Sequence, residues 1–241
     1  MQTRPIVAFA TVGVLALAGC SSEQPSLTSP APDPSGSSRP SLAVLGTGSG
    51  ELDAGTYVLD LDALGSGEER FPPIRITVPE GWANVDGWGV NSGPDTDHWV
   101  GITFWDVEKV DGHPCRWKGR TIQPGPTVSD LANVLATRPL RDATEPADIE
   151  VDGFEGLQLE WSVPDDIDFS TCDEGMFQSW ISAEGSWNGG RFQQGPGQVD
   201  RLWILNIGGE RLVIDAMYMP TTDAADRREL WRVMESINFK T

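Results

Sequence analysis

The sequence predicts an α+β fold in which mostly antiparallel strands carry a few helices on one face. Two observations support this prediction. From about residue 51 onward, short segments of alternating apolar and polar residues are bounded by Gly, Pro and Asp, as strands are bounded by turns. Two other segments carry apolar residues at helical spacing. The roughly 190 residues of this region are enough to bury a core of their own, so we expect a single domain.

Several segments are predicted as strands because each is rich in apolar residues and ends at turn residues. The last two flank Gly208-Gly209-Glu210, a loop of hairpin length in which glycine can adopt a positive φ. The predicted strands cover residues 55–61, 73–79, 99–107, 148–152, 156–163, 176–182, 201–207 and 211–219.

Two helices are predicted, one within the domain and one at its end. The first covers about residues 128–137, with Thr127 as N-cap and Asp130 at the third helical position, where its charge favours the helix dipole. The second covers about residues 223–237 and begins at Thr222-Asp223. Their apolar faces consist of Val128, Leu131, Val134 and Leu135 in the first helix, and of Leu230, Val233, Met234 and Ile237 in the second.

The N-terminus has the pattern of a lipoprotein signal peptide. An apolar run over residues 6–18 ends in Leu17-Ala18-Gly19-Cys20, which matches a bacterial lipobox. The run is about 13 residues long, whereas a membrane-spanning helix needs about 20. We therefore predict that residues 1–19 are removed and that lipidated Cys20 anchors the protein to the extracytoplasmic face of the cell membrane. The alternative is an ordinary cleavage site that leaves Cys20 as an unpaired thiol.

Residues 20–50 are predicted as a disordered, flexible tether between this anchor and the domain. Ser, Pro and Gly dominate the stretch, and no apolar period is visible in it. The folded domain is accordingly predicted over residues 51–241.

The chain is strongly acidic, with a formal net charge of −19. This charge excludes nucleic-acid binding, because neutralising phosphates requires clusters of Lys and Arg. It also argues against a domain that lies flat on anionic lipid, so the membrane contact is expected to run through the anchor at Cys20. An acidic surface suits cationic partners or metal ions, but solubility alone also explains it.

Two cysteines remain once Cys20 is assigned to the lipid. Disulfides persist in exported proteins, so we predict a Cys115–Cys172 disulfide. The separation of 57 residues corresponds to about 4 kcal/mol of stabilisation in the simple chain-entropy model. The alternative is a pair of free, buried thiols.

Several motifs resemble known families. The segments ITVPEGW (76–82) and LWRVMESINF (230–239) resemble the Mog1/PsbP-like group, in which a twisted antiparallel sheet is covered by helices. Three further motifs lie within residues 115–219: GPTVSDLANVLATRPLRDAT (125–144), SVPDDIDFSTCDEG (162–175) and QQGPGQVDRLWILNIGGERLVIDAMY (193–218). Through them the chain resembles, more narrowly, a family of actinobacterial surface proteins. This second resemblance implies no catalytic residues, and fold analogy alone does not define a function.

The sequence contains no recognisable motif for nucleophilic catalysis or zinc binding. Residues 185–189 (GSWNG) have the glycines of a nucleophile elbow, but the serine stands in the wrong position. The two histidines, His98 and His113, form no metal-binding spacing with each other or with a cysteine. We therefore predict a protein that is not an enzyme and that carries no cofactor.

Acidic residues suggest two further candidate sites. Asp165, Asp166 and Asp168 lie in one loop and could supply oxygen ligands for Ca²⁺, although the spacing is not that of an EF-hand. The alternative is a solvated acidic turn whose Asp side chains cap the local backbone. Paired carboxylates could also hydrolyse a glycosidic bond at the right separation, but the sequence does not select a pair.

The tryptophans are the most suggestive group for binding. Trp88 and Trp187 lie in Gly-rich loops, where a side chain is less readily buried than in a strand. They are therefore predicted to form a contact surface. Trp105, by contrast, lies in a strand pattern and is predicted in the core. Arg201 follows the turn at residues 195–197 and could bind an anion or pair with a nearby acid. The alternative at that position is a purely structural loop.

Together these observations predict a membrane-anchored, extracytoplasmic lipoprotein that binds or scaffolds an envelope protein or a glycan without catalysis. One alternative is a lipoprotein that captures a small or lipidic molecule in a pocket. Another is an envelope glycan hydrolase with unrecognised carboxylates. Convergent carboxylates in a cleft would favour the hydrolase. A concave apolar cavity would favour the capture protein, and a flat patch bearing tryptophan would favour the scaffold.

Overall fold

The computed structural model describes residues 42–65, 67–93, 96 and 98–239. The predicted signal peptide, Cys20 and most of the predicted tether lie outside these residues, so those assignments stay predictions. In the part of the chain that is described, no helix is long and apolar enough to cross a membrane.

The described residues form strands and helices that we number separately in chain order. The strands are β1 (Ala43–Leu45), β2 (Gly50–Glu51), β3 (Gly55–Leu59), β4 (Ile74–Val78), β5 (Trp82–Asn84), β6 (Gly89–Ser92), β7 (Val100–Trp105), β8 (Val107–Asp111), β9 (Thr121–Ile122), β10 (Asp142–Ala143), β11 (Ala147–Val151), β12 (Phe154–Ser162), β13 (Gln178–Ser182), β14 (Gly190–Phe192), β15 (Val199–Ile207) and β16 (Glu210–Tyr218). The helices are α1 (Leu61–Leu64), α2 (Val128–Ala136) and α3 (Ala224–Glu235), and two 3₁₀ turns cover Phe169–Thr171 and Asp173–Gly175. The fold is therefore mostly β with few helices.

The strands belong to three sheets. The main sheet has nine strands in the order β10-β12-β15-β16-β7-β6-β5-β2, with β11 also paired to β12. A three-stranded sheet has the order β1-β3-β4, and a four-stranded sheet has the order β14-β13-β8-β9. Among these described strands only β1 and β3 pair in parallel. The long β15–β16 hairpin turns at Gly208 and Gly209, both at positive φ, as the sequence predicts.

One face of the main sheet, here called the front face, packs against the three-stranded sheet and α3. In β7 alternate side chains point to opposite faces, and Val100, Ile102 and Phe104 are the front-facing set. These side chains are buried in one apolar cluster with residues of β4 and α3, which include Ile74, Ile76, Leu230 and Val233. Burial of this stripe explains why α3 forms where the sequence predicts it.

The opposite or rear face of the main sheet packs against α2 and the four-stranded sheet. Trp105 of β7 faces this side and shares a second apolar cluster with α2 and with Trp180 of β13. Leu131 and Leu135, from the predicted apolar face of α2, are fully buried there. The remaining members from the two sheets include Val107, Val110, Leu159, Trp161, Leu202, Ile204 and Val213.

Both predicted helix starts are confirmed by side-chain caps. Thr127 accepts a hydrogen bond from the Asp130 backbone N–H, and Asp130 accepts one from the Thr127 backbone N–H, which together make a capping box. The Asp223 side chain caps α3 by accepting from the N–H groups of Ala225 and Asp226.

The predicted strand over residues 99–107 is wrong in its continuity. The chain leaves the main sheet after Trp105 and enters the four-stranded sheet at Val107, so one apolar run supplies two strands. Asp106 lies at the break, where its carboxylate accepts a hydrogen bond from Arg70 at 2.7 Å.

Strand pairing also begins earlier than the predicted domain boundary at residue 51. β1 lies within the stretch predicted as tether, and its Leu45 is buried opposite Leu59 of β3. The short apolar run Ala43–Leu45 is enough to add an edge strand beside β3.

Candidate functional site

A concave cavity of about 550 Å³ opens on the rear face of the main sheet. Its walls come from β6, β7 and β16, from β14 of the four-stranded sheet, and from the segments next to these strands. α2 contributes no described residue to it. The lining residues are Val85, Trp88, Asn91, Thr96, Trp99, Gly101, Thr103, Trp105, Gly190, Arg191, Phe192, Gln194, Met217 and Met219.

Gly101 keeps this space open. It lies on β7 opposite Met217 of β16, and its missing side chain would point to the rear face. A Cβ atom built there would lie 3.5 Å from the Trp99 ring and 3.6 Å from both Asn91 and Met217, which all line the cavity. These are ordinary van der Waals distances, so a larger side chain at position 101 would extend into the cavity between these three residues.

Aromatic rings form much of the wall. Trp88 and Trp99 are half-buried, and Trp105 is buried beneath them. The Trp88 and Trp105 rings meet edge to face, with centroids 5.1 Å apart, and Trp105 Nε1 donates to Thr103 Oγ1 at 2.8 Å. Because a hydrogen bond and a neighbouring ring hold Trp105, this part of the wall is fixed before a ligand enters.

A buried group of charges lies at the edge of the cavity. Arg191 of β14 donates from Nε to Asp215 at 2.6 Å and from Nη2 to Asp200 at 2.9 Å. Both carboxylates are fully buried on the main sheet. Asp200 also accepts hydrogen bonds from Trp161 Nε1 at 3.0 Å and from the Gln198 amide at 2.7 Å. Arg191 therefore bridges the four-stranded sheet to the main sheet.

Burial shifts the pKa values of this group. It raises the pKa of Asp215 to about 7, although the adjacent Arg191 guanidinium acts in the opposite direction. Burial lowers the pKa of Arg191, but the Asp215 and Asp200 carboxylates outweigh it and the net shift is upward. Burial also lowers the pKa of nearby Arg141 to about 9. The Arg141 guanidinium lies 4.3 Å from the Trp161 ring centroid and donates to Ser179.

The structure places the two predicted contact tryptophans differently. Trp88 lines the cavity, whereas Trp187 does not. The half-buried Trp187 ring packs edge to face on Phe71, and its Nε1 donates to the Phe104 carbonyl at 2.8 Å. This geometry suits a side chain that anchors its own loop to the front-face core.

Arg201 is paired, and its partner is Glu160. The Arg201 Nη2 atom lies 2.8 Å from the Glu160 carboxylate, and the guanidinium stacks 4.7 Å from the Trp231 ring centroid. Asp200, its neighbour in sequence, faces the opposite side of the sheet and binds Arg191 instead. Of the two roles considered for Arg201, ion pairing is the one that the geometry favours.

In the acidic loop of Asp165, Asp166 and Asp168, the geometry is that of a turn in which an Asp side chain caps the local backbone. Asp168 accepts hydrogen bonds from the N–H and the hydroxyl of Ser170, and these bonds hold the pKa of Asp168 below its usual range. Asp165 and Asp166 are exposed. Within the described residues these three carboxylates do not gather into a group that could hold a metal ion.

His98, Asp223 and Asp226 lie close enough together to share a metal ion, but His98 and Asp223 are exposed and the group already has interactions within the protein. His98 Nδ1 lies 3.5 Å from the Asp226 carboxylate, and Asp223 already caps α3. The other histidine, His113, accepts a hydrogen bond from the Arg116 backbone N–H at 3.1 Å. We assign no binding role to either histidine.

The predicted disulfide between Cys115 and Cys172 is confirmed. It joins the loop after β8 to the 3₁₀ turns that precede β13, and it is buried in a small cluster with Val163 and Phe177. The backbone reinforces the link, because the Asp173 N–H donates to the Cys115 carbonyl at 2.9 Å.

No motif in the sequence indicated Arg191, Asn91 or Gly101 as site residues. The strongest available signal was in β15 and β16, where Asp200 and Asp215 lie two residues from Leu202 and Val213 and therefore face the same rear cluster. A buried carboxylate in such a strand requires a partner, but the sequence does not reveal that the partner is on β14.

No protein-family model matches the chain, and a comparison with curated proteins finds no match. Among solved structures, the chain is similar to the solution structure of cyanobacterial PsbP (CyanoP) from Synechocystis sp. PCC 6803. The similarity covers 81% of this chain and 99% of that chain, with 11% sequence identity and a TM-score of 0.34. At that TM-score and identity the similarity carries no argument about function, and the Mog1/PsbP-like topology stays a prediction.

Proposed function

We propose that this protein is an extracytoplasmic lipoprotein, anchored through Cys20, that binds a small molecule in the rear-face cavity without catalysing a reaction. The cavity itself carries the proposal. Its volume of about 550 Å³ is within the range of small-molecule sites, and its wall combines aromatic and thioether side chains with a few amides and hydroxyls.

The charge of the lining favours binding over acid–base catalysis. Arg191 is the one titratable side chain among the described lining residues, and it is already bonded to Asp200 and Asp215. Both of those carboxylates are fully buried beside it, so neither is presented to a substrate. A hydrolase would need an accessible acid and base in the cavity.

The proposed cavity can be tested with the full-length protein in a zwitterionic detergent, using 2-naphthol as a neutral amphipathic probe. Saturation-transfer NMR should show contact between probe and protein. In the Gly101→Leu variant the new side chain occupies the space beside Trp99, Asn91 and Met217, so the signal should fall well below that of wild type. A Trp231→Ala variant, which removes a half-buried tryptophan on α3, should behave as wild type. Equal signals from wild type and Gly101→Leu would contradict the proposal.

The anchor can be tested separately in cells. Wild-type protein should sediment with the membrane fraction and carry the mass of a lipid group at Cys20. Cys20→Ala removes the attachment atom, so this variant should lose the lipid mass and leave the membrane fraction. Unchanged mass and membrane retention in Cys20→Ala would contradict the lipoprotein assignment while leaving the cavity proposal intact.

A further inference from the structure

We infer that the ligand of the rear-face cavity is an uncharged saccharide of one or two sugar rings. This inference rests on the proposed function, because it names the chemical class that the same cavity takes. It follows from the compensated charges, the aromatic wall and the side-chain amides at the cavity.

The charge arrangement selects a neutral ligand. Arg191 contacts Asp215 at 2.6 Å and Asp200 at 2.9 Å, so its charge is compensated inside the protein. An anionic ligand would have to compete with two buried carboxylates for one guanidinium. A cationic ligand would enter a cavity whose described wall has no acidic side chain and contains a guanidinium. A charge desolvated without a partner is costly in either case.

The aromatic wall suits the C–H face of a sugar ring. Trp88, Trp99 and Phe192 are all half-buried, so each keeps part of its surface accessible at the cavity. Indole and phenyl faces carry the negative part of the ring quadrupole, which attracts the weakly positive C–H groups of a pyranose. Met217 and Met219 add polarisable contacts on the β16 side of the cavity.

Polar groups at the same wall suit hydroxyls. The half-buried Asn91 side chain lies at the cavity, where its amide can form hydrogen bonds with a ligand. The exposed amide of Gln194 lies at the cavity as well. Side-chain amides both donate and accept, as the hydroxyls of a sugar do. An aliphatic chain would pack against the aromatic rings but could not form hydrogen bonds with these amides.

The test uses saturation-transfer NMR with the full-length protein in a zwitterionic detergent that has no sugar headgroup. The probes are cellobiose, maltose and N,N′-diacetylchitobiose, with 2-naphthol as the non-saccharide reference. Unacetylated chitobiose serves as a charged comparator with the same skeleton. We expect at least one neutral disaccharide to receive saturation from the protein, and cationic chitobiose to receive much less than its acetylated form.

The variants locate the binding. Gly101→Leu and Trp99→Ala should each abolish the saccharide signal, whereas Trp231→Ala should retain it. Trp99→Ala only removes a half-buried ring, so it covers the case in which Gly101→Leu does not fold. If 2-naphthol binds to wild type but not to Gly101→Leu, and no saccharide binds to wild type, the saccharide inference is overturned and the proposed function stands. If neither binds, both are overturned. If both cavity variants still bind the saccharide, the binding site lies elsewhere on the protein and the inference is also overturned.

Discussion

At the scale of single residues, Asp111 shows how burial controls a carboxyl group that has no ion-pair partner. It lies at the end of β8, is fully buried, and neither of its oxygens has a hydrogen-bond partner among the described residues. Burial disfavours the charged form and raises the pKa of Asp111 from 3.8 to about 7. In the unfolded chain the same carboxyl titrates near its ordinary value.

This difference predicts a loss of stability as pH rises. Below about pH 4 Asp111 is protonated in both states and has no effect. Between about pH 4 and 7 only the folded state holds the proton, so the free energy of unfolding decreases with pH. The full difference is about 4 kcal/mol, because each pKa unit corresponds to about 1.4 kcal/mol. Above pH 7 the effect is constant.

Asp111→Asn removes the titrating group at similar volume. We expect the unfolding free energy of the variant minus that of wild type to increase by about 4 kcal/mol from about pH 4 to pH 8. Urea denaturation at several pH values in this range measures the difference. A difference between Asp111→Asn and wild type that does not change with pH would mean that Asp111 ionises normally in the folded protein.

At the scale of elements, local chemistry made α2 and α3 predictable. Thr127 with Asp130, and Asp223 with its following N–H groups, are caps that act within one turn, so the sequence shows them directly. The division of residues 99–107 between two sheets was not predictable in the same way. Trp105 and Val107 are both apolar and both buried, and only their partners on β16 and β13 distinguish the sheets.

The cap of α2 can be tested by Thr127→Ala. This change removes the side-chain acceptor for the Asp130 N–H and the hydroxyl that donates to the Asp130 carboxylate at 2.7 Å. The unfolding free energy should fall by about 1 kcal/mol, as for other lost N-caps. Thr127→Ser retains the hydroxyl and should cost less. Denaturant titration of both variants checks this, and equal losses would show that the Thr127 methyl group, not the cap, is responsible.

At the scale of the whole molecule, the cavity arises where three separate parts of the chain meet on the rear face. Asn91 and Gly101 are neighbours on β6 and β7, and Met217 follows on β16, so strand register brings them together. Arg191, in contrast, lies on β14 of the four-stranded sheet. Sequence periodicity predicted β7 and β16 but not β6 or β14, and Trp88 was selected because it lies in a Gly-rich loop. The cavity also depends on strand order across three sheets, which periodicity does not predict.

The bridge between the sheets gives the sharpest test of this architecture. Arg191→Met replaces the guanidinium with an apolar side chain and leaves Asp200 and Asp215 buried without their cation. We expect the unfolding free energy to fall by about 3–5 kcal/mol, since a buried charge that loses its partner is strongly destabilising. The half-buried Arg201–Glu160 pair, which keeps more contact with solvent, is the control, and removing its guanidinium by Arg201→Met should cost about 1 kcal/mol or less in ion pairing.

A combined variant separates charge from packing. Arg191→Met with Asp200→Asn and Asp215→Asn removes all three charges of the bridge. Trp161 and Gln198 donate to different oxygens of Asp200, so the one amide oxygen of Asn at position 200 keeps only one of these two hydrogen bonds. The combined variant should recover at least half of the stability that Arg191→Met alone loses, as buried ion pairs often do when replaced as a unit. Urea denaturation of the variants measures this. If Arg191→Met costs no more than Arg201→Met, the charges do not hold the four-stranded sheet against the main sheet, and apolar packing around Trp105 and Trp180 must do so alone.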